Sequence, residues 1–173
     1  MTELRDMNNN NTKVCRLFVL DLSGVSIFSV NTDGSDQKII LTGCRHPEGI
    51  AINIEASHIY SPNMDVPNLN DGSIELVNLD GRNHTIIVSE GYTFTPKQIY
   101  LNKKNCKLYW VDREWMRFMR SNLNGSKIET LVQTGEGQTD RVNSINCCIG
   151  ITVDVDDKSI YWTQKGPENW GRG

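Results

Sequence analysis

The chain has 173 residues, of which 38% are hydrophobic and 23% charged, and its formal net charge is −3. This is the composition of a soluble globular protein with one substantial core, and it excludes collagenous and disordered classes. The basic residues are scattered along the chain, whereas a nucleic-acid or anionic-membrane surface needs grouped Lys and Arg to neutralise phosphates.

Residues 1–13 are polar and Asn-rich and read as a disordered tail, with the folded domain running over 14–173. The start carries no apolar core of signal-peptide length, and no apolar run reaches the roughly 18 residues of a membrane span. The expectation is therefore a cytoplasmic chain with no membrane contact, in which the sequons at Asn10, Asn83 and Asn124 have no role. A first apolar strand follows, Leu17-Phe18-Val19-Leu20-Asp21. Alternating residues from Ile27 then end in Asp33-Gly34, and a short apolar run, Ile39-Ile40-Leu41, comes next. The same phrase returns from Ile74 to Asp80-Gly81 with Ile86-Ile87-Val88, and from Met119 to Asn124-Gly125 with Leu131-Val132. Asp-Gly and Asn-Gly between alternating strands predict β-hairpins with type I′ turns.

A second phrase interleaves with the first: an apolar strand, a polar gap and an aromatic strand. It reads Pro47 to Asn53 then Ile59-Tyr60-Ser61-Pro62-Asn63, and returns as Pro96 to Asn102 then Leu108-Tyr109-Trp110-Val111-Asp112. A third copy is Ile149 to Asp154 then Ile160-Tyr161-Trp162-Thr163-Gln164. The repeat is about 45 residues long, within the range of four-stranded units that stack around an axis. One such unit buries too little apolar surface to stand alone, and stacking supplies the rest. No segment shows a helical period, so the fold class is all-β.

In register, these phrases resemble the YWTD β-propeller family, best known from the low-density-lipoprotein receptor. The motif stands as Tyr109-Trp110-Val111-Asp112 and Tyr161-Trp162-Thr163-Gln164, and in degenerate form as Tyr60-Ser61-Pro62-Asn63 and Phe18-Val19-Leu20-Asp21. The resemblance covers 14–173 and is nearest to soluble microbial, fungal and plant members. It implies a nominal six blades, of which this chain holds about three to four. It is therefore expected to be a partial propeller that self-associates to complete its ring, or a fragment of a longer protein. Some members carry dehydrogenase-like names. The Gly135-Glu136-Gly137-Gln138-Thr139-Asp140 segment lacks the third glycine of a dinucleotide loop, and it reads as a connection that opens no helix.

The resemblance makes the last motif residue a structural tie, and Asp21, Asn63, Asp112 and Gln164 share the ability to accept hydrogen bonds. Tyr60, Tyr109, Trp110, Tyr161 and Trp162 read as packing between blades. The candidate binding residues are Glu48 and Gln98, with Asn146, at the starts of the inner strands, and Trp115 and Arg117 in an exposed-looking stretch, 114–118. The long loop from Asn63 to Asp71 is a further interaction candidate. His46, His58 and His84 read as single surface histidines, and the five cysteines as reduced thiols without metal-ligand spacing. No nucleophile elbow is present. The expected function is a non-catalytic scaffold that binds an unknown protein or small ligand on a propeller face, without cofactor or metal. The alternative is a lactonase- or lyase-like enzyme with a channel metal.

Overall fold

A computed structural model describes residues 15–66, 69–154 and 156–166; the tail assigned to 1–13 lies outside them. Among these residues, thirteen strands form four antiparallel sheets in chain order. The first holds β1 (Arg16–Asp21), β2 (Ser26–Asn31) and β3 (Lys38–Thr42). The second runs β4 (Ala51–Asn53), β5 (His58–Asn63), β6 (Ser73–Asn78) and β7 (Thr85–Val88). The third runs β8 (Pro96–Asn102), β9 (Lys107–Asp112), β10 (Arg117–Asn122) and β11 (Glu129–Gln133). The fourth pairs β12 (Cys148–Asp154) with β13 (Ser159–Gln164). Every pairing joins strands consecutive in sequence, as a meander requires.

The sheets stack face to face. Ile27, Ile40 and Cys44 of the first sheet meet Ile59 and Val77 of the second. Tyr60, Ile74 and Val88 of the second meet Ile99, Leu108, Trp110 and Met119 of the third, the largest apolar cluster. Val111 and Phe118 of the third meet Cys148 of the fourth. Strand alternation sends Leu108 and Trp110 to one neighbour and Tyr109 and Val111 to the other, so both faces of the third sheet are buried.

The Asp-Gly and Asn-Gly turns differ from the expected type I′ form. The amide of each glycine donates to the carbonyl three residues back: Gly34 to Asn31, Gly81 to Asn78 and Gly125 to Asn122, each at 2.9 Å. Only the glycine is left-handed, with φ of +85°, +83° and +78°. These are type I turns closed by a glycine, the arrangement of three-residue hairpin loops. The preceding Asp or Asn caps its own turn, because Asp33, Asp80 and Asn124 each accept the amide two residues on.

These turns also join the sheets. Each outer strand carries a bulge: register shifts leave Ile40, Ile87 and Leu131 without an opposite partner. A Cβ on Gly81 would lie 2.5 Å from the Ile40 carbonyl oxygen, and one on Gly125 1.8 Å from that of Ile87. The turn of one sheet therefore presses its glycine against the bulge of the sheet before it, and no other residue fits.

Three expectations change. Two sheets carry four strands, and among the described residues the first carries three and the fourth two. A six-residue helix, α1 (Gly137–Val142), and a 3₁₀ turn at Ser144–Asn146 lie in the connection between β11 and β12. So Gly135 to Asp140 does open a helix, one too short to leave a 3.6-residue period in the sequence; it follows an antiparallel edge strand, so the dinucleotide-loop context is still lacking. Tyr161 and Trp162 are 56% and 40% exposed: Trp162 still packs on Phe118 of the third sheet, with ring centroids 4.9 Å apart, whereas Tyr161 stands on the opposite face of β13, which no sheet covers among the described residues.

The glycine contact is testable by substitution. Gly125→Ala meets both the left-handed backbone and the Ile87 carbonyl and is expected to cost about 3 kcal/mol or more in urea denaturation. Gly34→Ala, at a similar φ but with nothing within 4 Å of its Cβ, is expected to cost only about 1–2 kcal/mol.

Candidate functional site

The aromatic strands end in the residues that look most like chemistry. Asp112, fully buried, closes β9 opposite Pro96. Its Oδ1 accepts the Thr95 amide at 2.9 Å, and both its oxygens lie within 3.1 Å of the Phe94 amide. Arg117 Nε and Nη2 donate to Oδ2 at 3.1 and 2.9 Å. The carboxylate thus fastens the connection that enters the third sheet to the end of β9. Asn63 does the same for the second sheet, accepting the Arg45 amide at 3.0 Å while buried opposite Pro47. Asp21 instead accepts the Gly24 amide of its own turn, and Gln164 is exposed opposite Cys148.

The candidate binding residues fall into two pairs. Glu48 meets Lys97 Nζ at 3.0 Å, and Gln98 Nε2 donates to the Glu48 carbonyl at 2.8 Å. The starts of two neighbouring inner strands are therefore tied to each other. Trp115 and Arg117 form the second pair, with Arg117 Cζ 3.9 Å from the indole centroid. The Phe94 ring packs on Trp115 at 5.7 Å, and Arg141 Cζ lies 4.7 Å from Phe94. Two guanidinium groups and two rings make one stack at this rim. The stretch 114–118 is not the exposed segment its sequence suggested. Glu114, Met116 and Phe118 are buried, Trp115 is partly buried, and the Arg117 side chain is only 15% exposed. Met116 and Phe118 occupy inward positions around the turn, which single-letter polarity does not reveal.

A polar cluster between the first and second sheets was missed. Glu75, 7% exposed, stands where the neighbouring sheets place Phe28 and Met119, as the strand registers show. His84 Nε2 is 2.5 Å from Glu75 Oε2, so His84 is not a lone surface histidine. Ser73 Oγ donates to Glu75 Oε1 at 3.2 Å, and Arg45 reaches Ser73 at 3.3 Å while pairing with Asp65. Ser61 takes the place of Trp110 in the same seam. The available signal was the break in the repeat itself, Ser for Trp and Glu for an apolar residue. Burial, reinforced by the Glu75 charge, pushes the neighbouring Cys44 thiol up to about 11. Among the described residues, no three His, Cys, Asp or Glu side chains gather as metal ligands.

Four antiparallel sheets of one repeat, stacked in order and joined at their ends by short connections, define a β-propeller module. No family model matches the chain. It is 39% identical over 172 residues to the low-density lipoprotein receptor-related protein 1 of Pyricularia oryzae, over 91% of this chain and 56% of that one. It is 33% identical to the 3-hydroxyacyl-CoA dehydrogenase-like protein LAM1 of Cochliobolus heterostrophus, over 91% of this chain and 36% of that protein. The chain thus spans about half and about a third of these relatives. A solved structure of a nidogen/laminin complex contains a chain that superposes with a TM-score of 0.70 at 22% identity, over 86% of this chain and 52% of that one. These similarities, to relatives named for the low-density lipoprotein receptor and to a chain of the nidogen/laminin complex, support a YWTD β-propeller family.

Removing the fastener is expected to unfold more than its site. Asp112→Ala takes the acceptor away from two buried amides and leaves the Arg117 guanidinium only the Tyr92 carbonyl, and it should cost about 3–5 kcal/mol by urea denaturation. Asp112→Asn combined with Arg117→Ser installs the pair that the second sheet carries as Asn63 and Ser73; it should cost less than about 2 kcal/mol. Thiol labelling followed by mass spectrometry checks the seams. Cys15 and Cys106 are exposed and should react near neutral pH, whereas buried Cys44, Cys147 and Cys148 should react only on unfolding.

Proposed function

We propose that this chain acts as a non-catalytic binding module, engaging a partner protein through the rim built on Trp115. The observation that carries this reading is the Arg117–Trp115–Phe94–Arg141 stack. Trp and Arg dominate the energetics of protein interfaces, and here their side chains are already ordered, so little conformational entropy is lost on binding. The buried Asp112 bridge sets the Arg117 guanidinium from below, leaving the half-exposed indole as the anchor. The motif carboxylates and amides on which a catalytic reading would rest support scaffolding instead, because Asp112 and Asn63 spend their acceptors on backbone amides.

Self-association is the second part of the proposal. The edges of β1 and β13 have no neighbouring strand among the described residues, and Tyr161 is 56% exposed. An unpaired edge beside an apolar face favours pairing with another chain.

Two measurements test these readings. Trp115→Ala is expected to lower retention of partner proteins on the immobilised chain by about tenfold or more with an unchanged thermal melt, and an unchanged partner set would contradict the rim. Sedimentation is expected to give a concentration-dependent mass above the 19.6 kDa of one chain; a sharp monomer at all concentrations would contradict self-association alone.

A further inference from the structure

The glycine turns and the bulges act along the chain as plug and seat. The Gly81 turn of the second sheet sits on the Ile40 bulge of the first, and the Gly125 turn of the third on the Ile87 bulge of the second. One of each is left over. The Gly34 turn has a similar backbone, with φ of +85°, and nothing lies within 4 Å of the place of its Cβ. Among the described residues, no glycine turn sits on the Leu131 bulge of the third sheet, which borders an open groove of about 490 Å³ between the third and fourth sheets.

The strands around plug and seat complement each other as well. In the repeat, β1, β2 and β3 are equivalent to the last three strands of a complete sheet, and β12 and β13 to the first two. The β2–β3 hairpin is therefore the part that β13 lacks. Laid beside β13 in the register that β10 keeps with β9, it sets Phe28 opposite Trp162, as Met119 stands opposite Trp110, and brings the Gly34 turn over Leu131. Phe28 and Val30 are only half-buried, on the face turned away from the second sheet, whereas the equivalent Met119 and Val77 are covered by a preceding sheet. Polarity also changes on both sides together. Leu123 of the Gly125 turn packs with Leu76 in one cluster, while the equivalent Thr32 of the Gly34 turn would meet Arg120, the equivalent of Leu76.

We propose that two copies of this chain exchange strands reciprocally: β13 of each pairs with β2 of the other in place of that copy's β1, and the Gly34 turn of each seats on the Leu131 bulge of the other. The inference rests on the self-association proposed above and names its segments. Tyr161, 56% exposed in the single chain, takes the position of Phe18 against the second sheet of the other copy. Two complete sheets from each copy and two shared ones then give six, all four-stranded. The free edge of β13 and the uncovered apolar faces favour the exchange. It gives up the hydrogen bonds of Arg16 to Ser29, Asn31 and Asp36. Because β1 precedes every other described strand, its release breaks no connection between sheets.

Sedimentation of three forms of the full chain tests the exchange. The wild type is expected to reach twice the 19.6 kDa of one chain and to stop there. Asn tolerates a left-handed turn, so Gly34→Asn keeps the hairpin, but its Cβ meets the Leu131 carbonyl at both seats. Its dimer is expected to be at least about a hundredfold weaker, with the melt of the diluted single chain unchanged. Arg16→Ala removes bonds that exist only before the exchange and is expected to tighten the dimer about tenfold. A Gly34→Asn chain that pairs as tightly as wild type, an Arg16→Ala dimer no tighter, or a mass rising past two copies would overturn the exchange and leave self-association through another surface standing. A wild type that stays monomeric at every concentration would overturn self-association itself, and the exchange with it.

Discussion

The buried carboxylate of Asp112 is the constraint on which the third sheet depends. A charge with no solvent contact persists only if its acceptor capacity is filled, and here two amides and one guanidinium fill it. Those amides belong to the connection that leaves the second sheet, so the bond sets where β8 begins. It also orients Arg117, and through Arg117 the indole of Trp115. Stability and the candidate rim thus share one group. Asn63 shows that the charge is not obligatory: where Ser73 replaces the arginine across the strand, a neutral acceptor suffices.

A second constraint acts between sheets. The turn glycine of one sheet meets the carbonyl of the bulged residue before it, so the backbones approach more closely than any side chain allows. This fixes the outer edge of each interface, while the apolar clusters fix its centre. The interfaces then differ in what fills them. Trp110 and Met119 make the middle interface apolar, whereas Ser61, Glu75, His84 and Arg45 make the first one polar and hydrogen-bonded. A polar seam of this kind depends on complete satisfaction of its members and tolerates substitution poorly.

Much of this was legible in the sequence, for a physical reason. Strand alternation and turn chemistry are local, so Asp33-Gly34, Asp80-Gly81 and Asn124-Gly125 marked three hairpins and the repeat length marked the stacking. The role of Asp112 and Asn63 as ties was also legible, since interchange of Asp and Asn points to hydrogen-bond acceptance. What was not legible depends on partners distant in sequence. The exposure of Tyr161 follows from the face of β13 that no sheet covers among the described residues, not from its own identity. The burial of Phe118 depends on which sheet lies opposite, and the pairing of Glu75 with His84 on the register between β6 and β7. The short helix at 137–142 has fewer than two turns, too few to produce a period.

Amide hydrogen exchange at Phe94 and Thr95 tests the central claim most directly. Both residues lie outside any strand, in a connection where amides ordinarily exchange freely. If the Asp112 carboxylate holds them as described, their protection will match that of the β9 amides, and exchange will occur only when the third sheet opens. Exchange at the rate of an unprotected loop, with β9 still protected, would contradict the account.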